Sequence, residues 1–191
     1  MARRTVVYDA NVLYSSPLRS LLLYLAVRDF FNARWSDDIH EEWMRSVKKN
    51  RPDIEPEKLD RVRDLMDAHV RDCLVSDYRE LIDTLELPDP DDRHVLAAAI
   101  VAKADYIVTF NLRDFPPGNL RRYGIEALHP DKFVMLLFEM SASKVCAAAR
   151  EHHLSHRNPA LSAEDYLLQL ERQELPHTVA ALRTQCFMAP A

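Results

Sequence analysis

Two rhythms of apolar and polar positions run along this chain of 191 residues. Short apolar runs at 5–8 (Thr-Val-Val-Tyr), 73–75, 106–109 and 125–128 are too brief for helices and predict buried strands. Residues 33–35 predict another short strand. Longer stretches between them keep a helical period, clearest at Leu59, Val62, Leu65, Met66, His69 and Val70. Ser15 and Ser16 before Pro17 start one helix, expected to run to about residue 31. Ser36 or Asp37 caps a second through about 49, and Pro56 opens a third. Asp89-Pro90-Asp91-Asp92 opens a fourth, with Asp89 as its cap, and its alanine-rich stretch 95–102 suits a helix lying close on a sheet. Residues 111–118 are expected to form a loop.

Alternating strands and helices predict an α/β fold: a three-layer α/β/α sandwich around a central parallel sheet. Beyond about residue 140 the strand signal stops. Helices over 144–153 and 162–174, and a third from Pro176, predict a C-terminal helical extension. The expected organisation is therefore a domain over 1–140 and an extension over 141–191. In that extension Tyr166, Leu167, Leu168, Leu170, Leu175, Val179 and Leu182 form an amphipathic pattern suited to packing on their own domain.

Composition removes several function classes. With 48% hydrophobic residues the chain can fill a core, and with 29% charged residues it is not a disordered polymer. Its only glycines, Gly118 and Gly124, cannot build a phosphate-cradling loop, so P-loop and dinucleotide-binding functions are excluded. The three cysteines, Cys73, Cys146 and Cys186, are far apart and odd in number. They predict buried free thiols in a reducing compartment rather than a disulfide or a cysteine zinc site. The longest apolar run, 21–27, is far short of a membrane span, and the N-terminus lacks a signal-peptide pattern, so the expected location is the cytoplasm with no membrane contact. A net charge of −5 counts against nucleic-acid binding, unless several acids share one cation site.

The acids carry the chemistry. In parallel α/β sheets sites form at the carboxyl ends of strands. Asp9 ends the first strand, and Asn111 and Asp114 follow the strand at 106–109. Asp92 lies at the start of the alanine-rich helix, and Glu42 lies within the helix that begins near Asp37. Clustered carboxylates repel one another unless a cation compensates, and all-oxygen donor sets suit Mg2+ or Mn2+. Of the eight histidines only His94 falls beside these acids. Asn11, two residues from Asp9, is the best placed of Thr5, Asn11 and Ser15 to support it. Asp89 serves chiefly as a cap. Arg45, Lys48, Lys49 and Arg51 after Glu42, and Arg113, Arg121 and Arg122 near the last motif, could grip phosphates or form solvated faces. His152, His153 and His156 lack a completing carboxylate and are expected to be surface residues.

The segment Val7-Tyr8-Asp9-Ala10-Asn11-Val12-Leu13 resembles the first motif of PIN-domain nucleases. Ser36-Asp37-Asp38-Ile39-His40-Glu41-Glu42-Trp43 resembles their second. Asp89-Pro90-Asp91-Asp92-Arg93-His94-Val95-Leu96-Ala97-Ala98-Ala99 resembles the third, and Ala104-Asp105-Tyr106-Ile107-Val108-Thr109-Phe110-Asn111-Leu112-Arg113-Asp114-Phe115 the fourth. The four occur in the family's order. Asn111 departs from the pattern, since many PIN domains carry aspartate there; Asp114 would supply the missing charge. The resemblance implies a metal-dependent endoribonuclease, the VapC-type toxin of a toxin–antitoxin pair, with Asp9, Glu42, Asp92 and Asp114 as catalytic metal ligands. Beside these, Asn11, Asn111 and Asp89 are candidate supporting residues, and Arg45, Lys48, Lys49 and Arg113 are candidate contacts to the RNA. The resemblance further implies Mg2+ or Mn2+, an RNA substrate such as tRNA or another structured RNA, a cognate antitoxin and a homodimer. Hydrolysis would leave a 3′-hydroxyl and a 5′-phosphate. Two alternatives compete: a PIN-like binder of RNA or protein with weakened catalysis, and a haloacid-dehalogenase-like phosphatase. The phosphatase requires a second aspartate where this chain has Asn11.

Overall fold

Strand β1 (Arg4–Tyr8) lies in the middle of the sheet, and its last three residues, Val6, Val7 and Tyr8, are wholly buried. In this computed structural model, which describes residues 3–187, it is flanked by β2 (Phe31–Arg34) on one side and β3 (Tyr106–Val108) on the other. Strand β4 (Glu126–Leu128) completes the order β2-β1-β3-β4, and every pairing is parallel. Parallel strands need helical crossovers, and the chain supplies them. Helix α1 (Ala10–Tyr14) follows β1 directly, and α2 (Ser16–Ala26) follows α1. Helix α3 (Asp37–Asn50) follows β2, with Ser36 accepting from the Ile39 amide as its cap. Helix α4 (Pro56–His69) and the single turn α5 (Arg79–Ile82) come next. Helix α6 (Arg93–Val101) precedes β3, and α7 (Pro117–Leu120) lies between β3 and β4. The predicted α/β sandwich around a parallel sheet is what the chain forms.

The chain divides into two compact units. The first comprises the chain up to Tyr14 together with Phe31–His129 and holds the whole sheet. Its α6 touches β1, β3 and α3, and Ala97, Ala98 and Ala99 are fully buried there, because small side chains let the helix approach the strands closely. A buried polar network anchors α3. The Trp43 indole donates to His40 Nδ1 at 2.9 Å, His40 Nε2 donates to Asp67 Oδ1 at 3.0 Å, and the Trp35 indole donates to the same oxygen at 2.8 Å. The imidazole is thus the Nε2–H tautomer. Burial lowers its pKa against the opposing pull of Asp67.

The second unit comprises Ser15–Phe30 and the chain from Pro130. Helix α8 (Pro130–Ser155) is interrupted by non-helical backbone at Ser141. Helices α9 (Ala163–Glu171) and α10 (Pro176–Leu182) follow, with a π turn over Arg183–Phe187. Asp131 caps α10: Oδ1 accepts from the Thr178 amide at 2.7 Å, and Oδ2 accepts from the His177 amide at 3.1 Å. Six of the seven apolar residues of the tail pattern are buried, and only Leu168 is exposed, so the stripe packs inside this unit.

Four expectations need correction. Residues 73–75 form no strand ladder. Trp35 and Leu74 make one bridge, because β2 ends at Arg34 and the chain turns into α3 at Ser36. The first long helix stops at Ala26, and Phe31, placed at its end, instead begins β2. Cys146 and Cys186 form a disulfide, since helix packing joins positions 40 residues apart, and only Cys73 is a free, buried thiol. His152 is no surface residue: it is buried, stacks with Tyr24, and its Nδ1 meets the Tyr166 hydroxyl at 3.1 Å. Burial and the neighbouring His156 and His153 lower its pKa to about 3, so it is neutral.

Candidate metal centre

In a doubly wound sheet, ligand sites form where successive connections leave in opposite directions. That point here lies between β1 and β3, whose neighbours β2 and β4 extend to either side. Asp9 directly follows β1, and its amide donates to the Val108 carbonyl of β3 at 3.1 Å. The Asp9 side chain is 2% exposed. Its Oδ2 accepts from the Thr109 hydroxyl and from Asn11 Nδ2, both at 2.6 Å. Thr109 is itself fully buried and also accepts from Asn11 Nδ2 at 3.0 Å and from the Asn111 amide at 2.9 Å. Asn11 Oδ1 accepts from the Phe110 amide at 3.1 Å, closing the network.

A second set of carboxylates converges nearby. Asp89, Asp92 and Asp114 each place an oxygen within 4.8 Å of the other two. Asp89 caps the short 3-10 turn over Pro90–Asp92, accepting from the Asp91 amide at 2.9 Å. Asp114 Oδ2 accepts from the Asn111 side-chain amide. Asp92 has a buried oxygen, Oδ2, without a hydrogen-bond partner among the described residues. Glu42, on α3, pairs with His94 Nε2 at 3.1 Å.

Electrostatics bind these acids into one group. Burial pushes the Asp92 carboxyl up to about 7, and the charges of Asp9, Asp89, Asp114 and Glu42 add to the rise. Burial likewise lifts Asp9 to about 6, with Glu42 adding to the rise and the Thr109 hydrogen bond opposing it. For His94, burial lowers the imidazole pKa, but the hydrogen bond and charge of Glu42 outweigh it and hold the group above its usual value. A free protein with these acids ionised carries uncompensated negative charge in a half-buried space. A divalent cation fits this donor set: the converging atoms are hard carboxylate oxygens, and the buried Asp92 Oδ2 has no protein partner.

Asp9, Glu42, Asp92 and Asp114 are therefore electrostatic neighbours, with Asn11 on Asp9 and Asn111 on Asp114. Asp9 and Glu42 stand outside the tight carboxylate trio, and Asp89 stands inside it. Thr109, which hydrogen-bonds the Asp9 carboxylate, does not stand out in the sequence. As the last residue of an apolar run it gave no separate signal, although a hydroxyl ending the strand beside β1 could have been suspected. Arg45 and Lys48 line a groove of about 640 Å3 with Met44, Arg63 and Arg79, and that lining includes none of the site acids. Lys49 and Arg113 are exposed, and Arg113 adjoins Asp114 in sequence.

The parallel sheet and the acids at its switch point define a PIN-type nuclease fold, and residues 5–113 match the PIN domain family, so the chain belongs to that family. Residues 130–184 match a second family, the VapC50 C-terminal domain. A segment of 44 residues is 57% identical to a protein of Mycobacterium tuberculosis (strain ATCC 25618 / H37Rv) named "Putative ribonuclease VapC50"; it covers 23% of this chain and 26% of that relative. The match thus spans about a quarter of that protein. No solved structure matches the chain significantly.

Proposed function

We propose that this chain is a divalent-metal-dependent endoribonuclease, acting in the cytoplasm as the toxin of a toxin–antitoxin pair. The observation that carries the reading is the convergence of carboxylates at the switch point of a PIN fold, with Asp92 Oδ2 buried and unpartnered. Asp9, Glu42, Asp92 and Asp114 would hold Mg2+ or Mn2+, and Asp89, a member of the carboxylate trio, would join them. Such a cation, when bound, activates water and neutralises charge developing on a phosphodiester. The chain's own groups prepare that site. Thr109 and Asn11 fix Asp9 through one carboxylate oxygen, leaving the other free of side-chain hydrogen bonds among the described residues. Asn111 orients Asp114. Arg113, next to that acid, and Arg45, Lys48 and Lys49 along α3 are the candidate phosphate contacts. The VapC50 C-terminal match supports a VapC-type role, with an RNA substrate, an antitoxin and self-association as its corollaries.

Incubating cellular RNA with the purified chain tests this directly. Discrete fragments are expected with Mn2+ or Mg2+, and they should vanish with chelator and with Asp9→Asn. RNA that is bound but left intact under every metal would favour the non-catalytic binder. Turnover of small phosphoesters without RNA cleavage would favour a phosphatase.

A further inference from the structure

Hydrogen bonds hold several carboxylates of the centre in one rotamer, Asp92 being the exception. Asp9 has Thr109 and Asn11, Asp89 has the Asp91 amide, and Asp114 has Asn111. Glu42 has a longer stem than any of them, and its side chain is 32% exposed. Its only hydrogen-bond partner among the described residues is His94, whose Nε2 lies 3.1 Å from Oε2. That contact spans 52 positions and joins the middle of α3 to the first turn of α6.

The histidine is committed to this contact. Its side chain is only 15% exposed, and its Nδ1 is buried without a partner. Burying an imidazole with one nitrogen unsatisfied is costly, and buried polar atoms normally find partners. Among the described residues no other hydrogen bond of the ring offsets that cost, so the Glu42 contact is the compensating interaction. Groups that orient metal-binding carboxylates from behind act in this way.

We propose that His94 is a positioning residue that holds Glu42 in the acid cluster through Oε2, leaving Oε1 for a bound cation. The proposal rests on the reading of the acids as a cation site. It assigns a task to the histidine of the third motif, and it makes the α3–α6 contact part of the site.

Calorimetric titration of the full chain with Mn2+ tests it, using His94→Phe, His94→Gln, Glu42→Gln and the double variant His94→Phe/Glu42→Gln. Phenylalanine keeps the ring and removes the donor. Glutamine restores an N–H near the Nε2 position. Mn2+ affinity is expected to fall about 10–100-fold in His94→Phe, the usual loss for such partners, and to return most of the way in His94→Gln. In the Glu42→Gln background, His94→Phe should cost nothing further. Wild-type affinity in His94→Phe overturns the proposal, and so does a loss that adds in full to that of Glu42→Gln. If His94→Phe fails to fold, the glutamine variant decides: affinity far below wild type in a folded His94→Gln overturns the proposal. If the unaltered chain binds no Mn2+ and cuts no RNA, the cation-site reading fails instead. Mn2+ binding that is lost in Asp92→Asn but kept in His94→Phe sinks the His94 assignment alone.

Discussion

At the scale of the residue, burial and the neighbouring negative charges make ionisation of Asp9 and Asp92 unfavourable in the metal-free protein. The Asp9 and Asp92 carboxyls are raised from the ordinary 3.8 to about 6 and about 7. Both bind a proton more tightly in the fold than in the unfolded chain. The stability they contribute is complete below pH 3.8 and is lost as pH rises through about 6 and then about 7. The metal-free protein should therefore melt at progressively lower temperature between pH 5 and pH 8 on account of these groups. Asp92→Asn should flatten that slope and raise the melting temperature at pH 8, by about 2–4 °C per kcal/mol gained in a chain of this size. Thermal melts with chelator across that range check this, and an Asp92→Asn protein no more stable than the original at pH 8 would refute it. The positions of Asp9, Asp92 and Asp114 as candidates follow from strand ends and a helix start read from apolar runs, whereas Glu42, inside α3, stands out only through the resemblance of its motif. Thr109 was not legible in the sequence, since its role depends on β1 and β3 being neighbours across 100 positions. Asp89 could be read as a cap, and it is one, but its place in the carboxylate trio appears only in three dimensions.

At the scale of the element, α3 matters most, because it presents Glu42 while its own anchor lies elsewhere. Trp43, His40, Asp67 and Trp35 form a chain of buried hydrogen bonds that joins α3, α4 and the residue after β2. Asp67→Ala would strip the acceptor from both the Trp35 indole and the His40 Nε2–H. The expected loss is about 1–3 kcal/mol for each buried donor left unsatisfied. Chemical denaturation should show this loss, and a change under 0.5 kcal/mol, roughly the scatter of a neutral surface substitution, would count against the network. None of these pairings could be read from one dimension: the helical period predicts that α3 and α4 exist, not which faces meet. The 73–75 run failed as a strand for a related reason. Its apolar character was correct, with Cys73 and Val75 buried, but β2 ends at Arg34 and leaves it only a single bridge at Trp35.

At the scale of the molecule, the sheet unit holds the acids, and the helical unit carries the match to the VapC50 C-terminal domain. Helix α2 belongs to the second unit although it is encoded between β1 and β2, an arrangement that local periodicity cannot reveal. The Cys146–Cys186 disulfide lies within that unit. Closing a loop of 40 residues stabilises by about 4 kcal/mol on chain-entropy grounds, so Cys186→Ser should melt several degrees lower than the oxidised chain. Thiol alkylation supplies the companion measurement. Cys73, its thiol pushed up to about 12 by burial and by Asp67, should stay unlabelled in the native protein. Denatured, unreduced chain should then take one label, and three labels before reduction would contradict the disulfide.

The proposed function stands on a divalent cation bound by the acids gathered at the carboxyl ends of β1 and β3. The most direct measurement is the Mn2+ affinity of the intact chain beside that of Asp92→Asn. Saturable binding is expected, weakening at least about tenfold in the variant, as removal of a direct metal ligand should exceed the loss seen for outer partners. Equal affinity in the two proteins would contradict it.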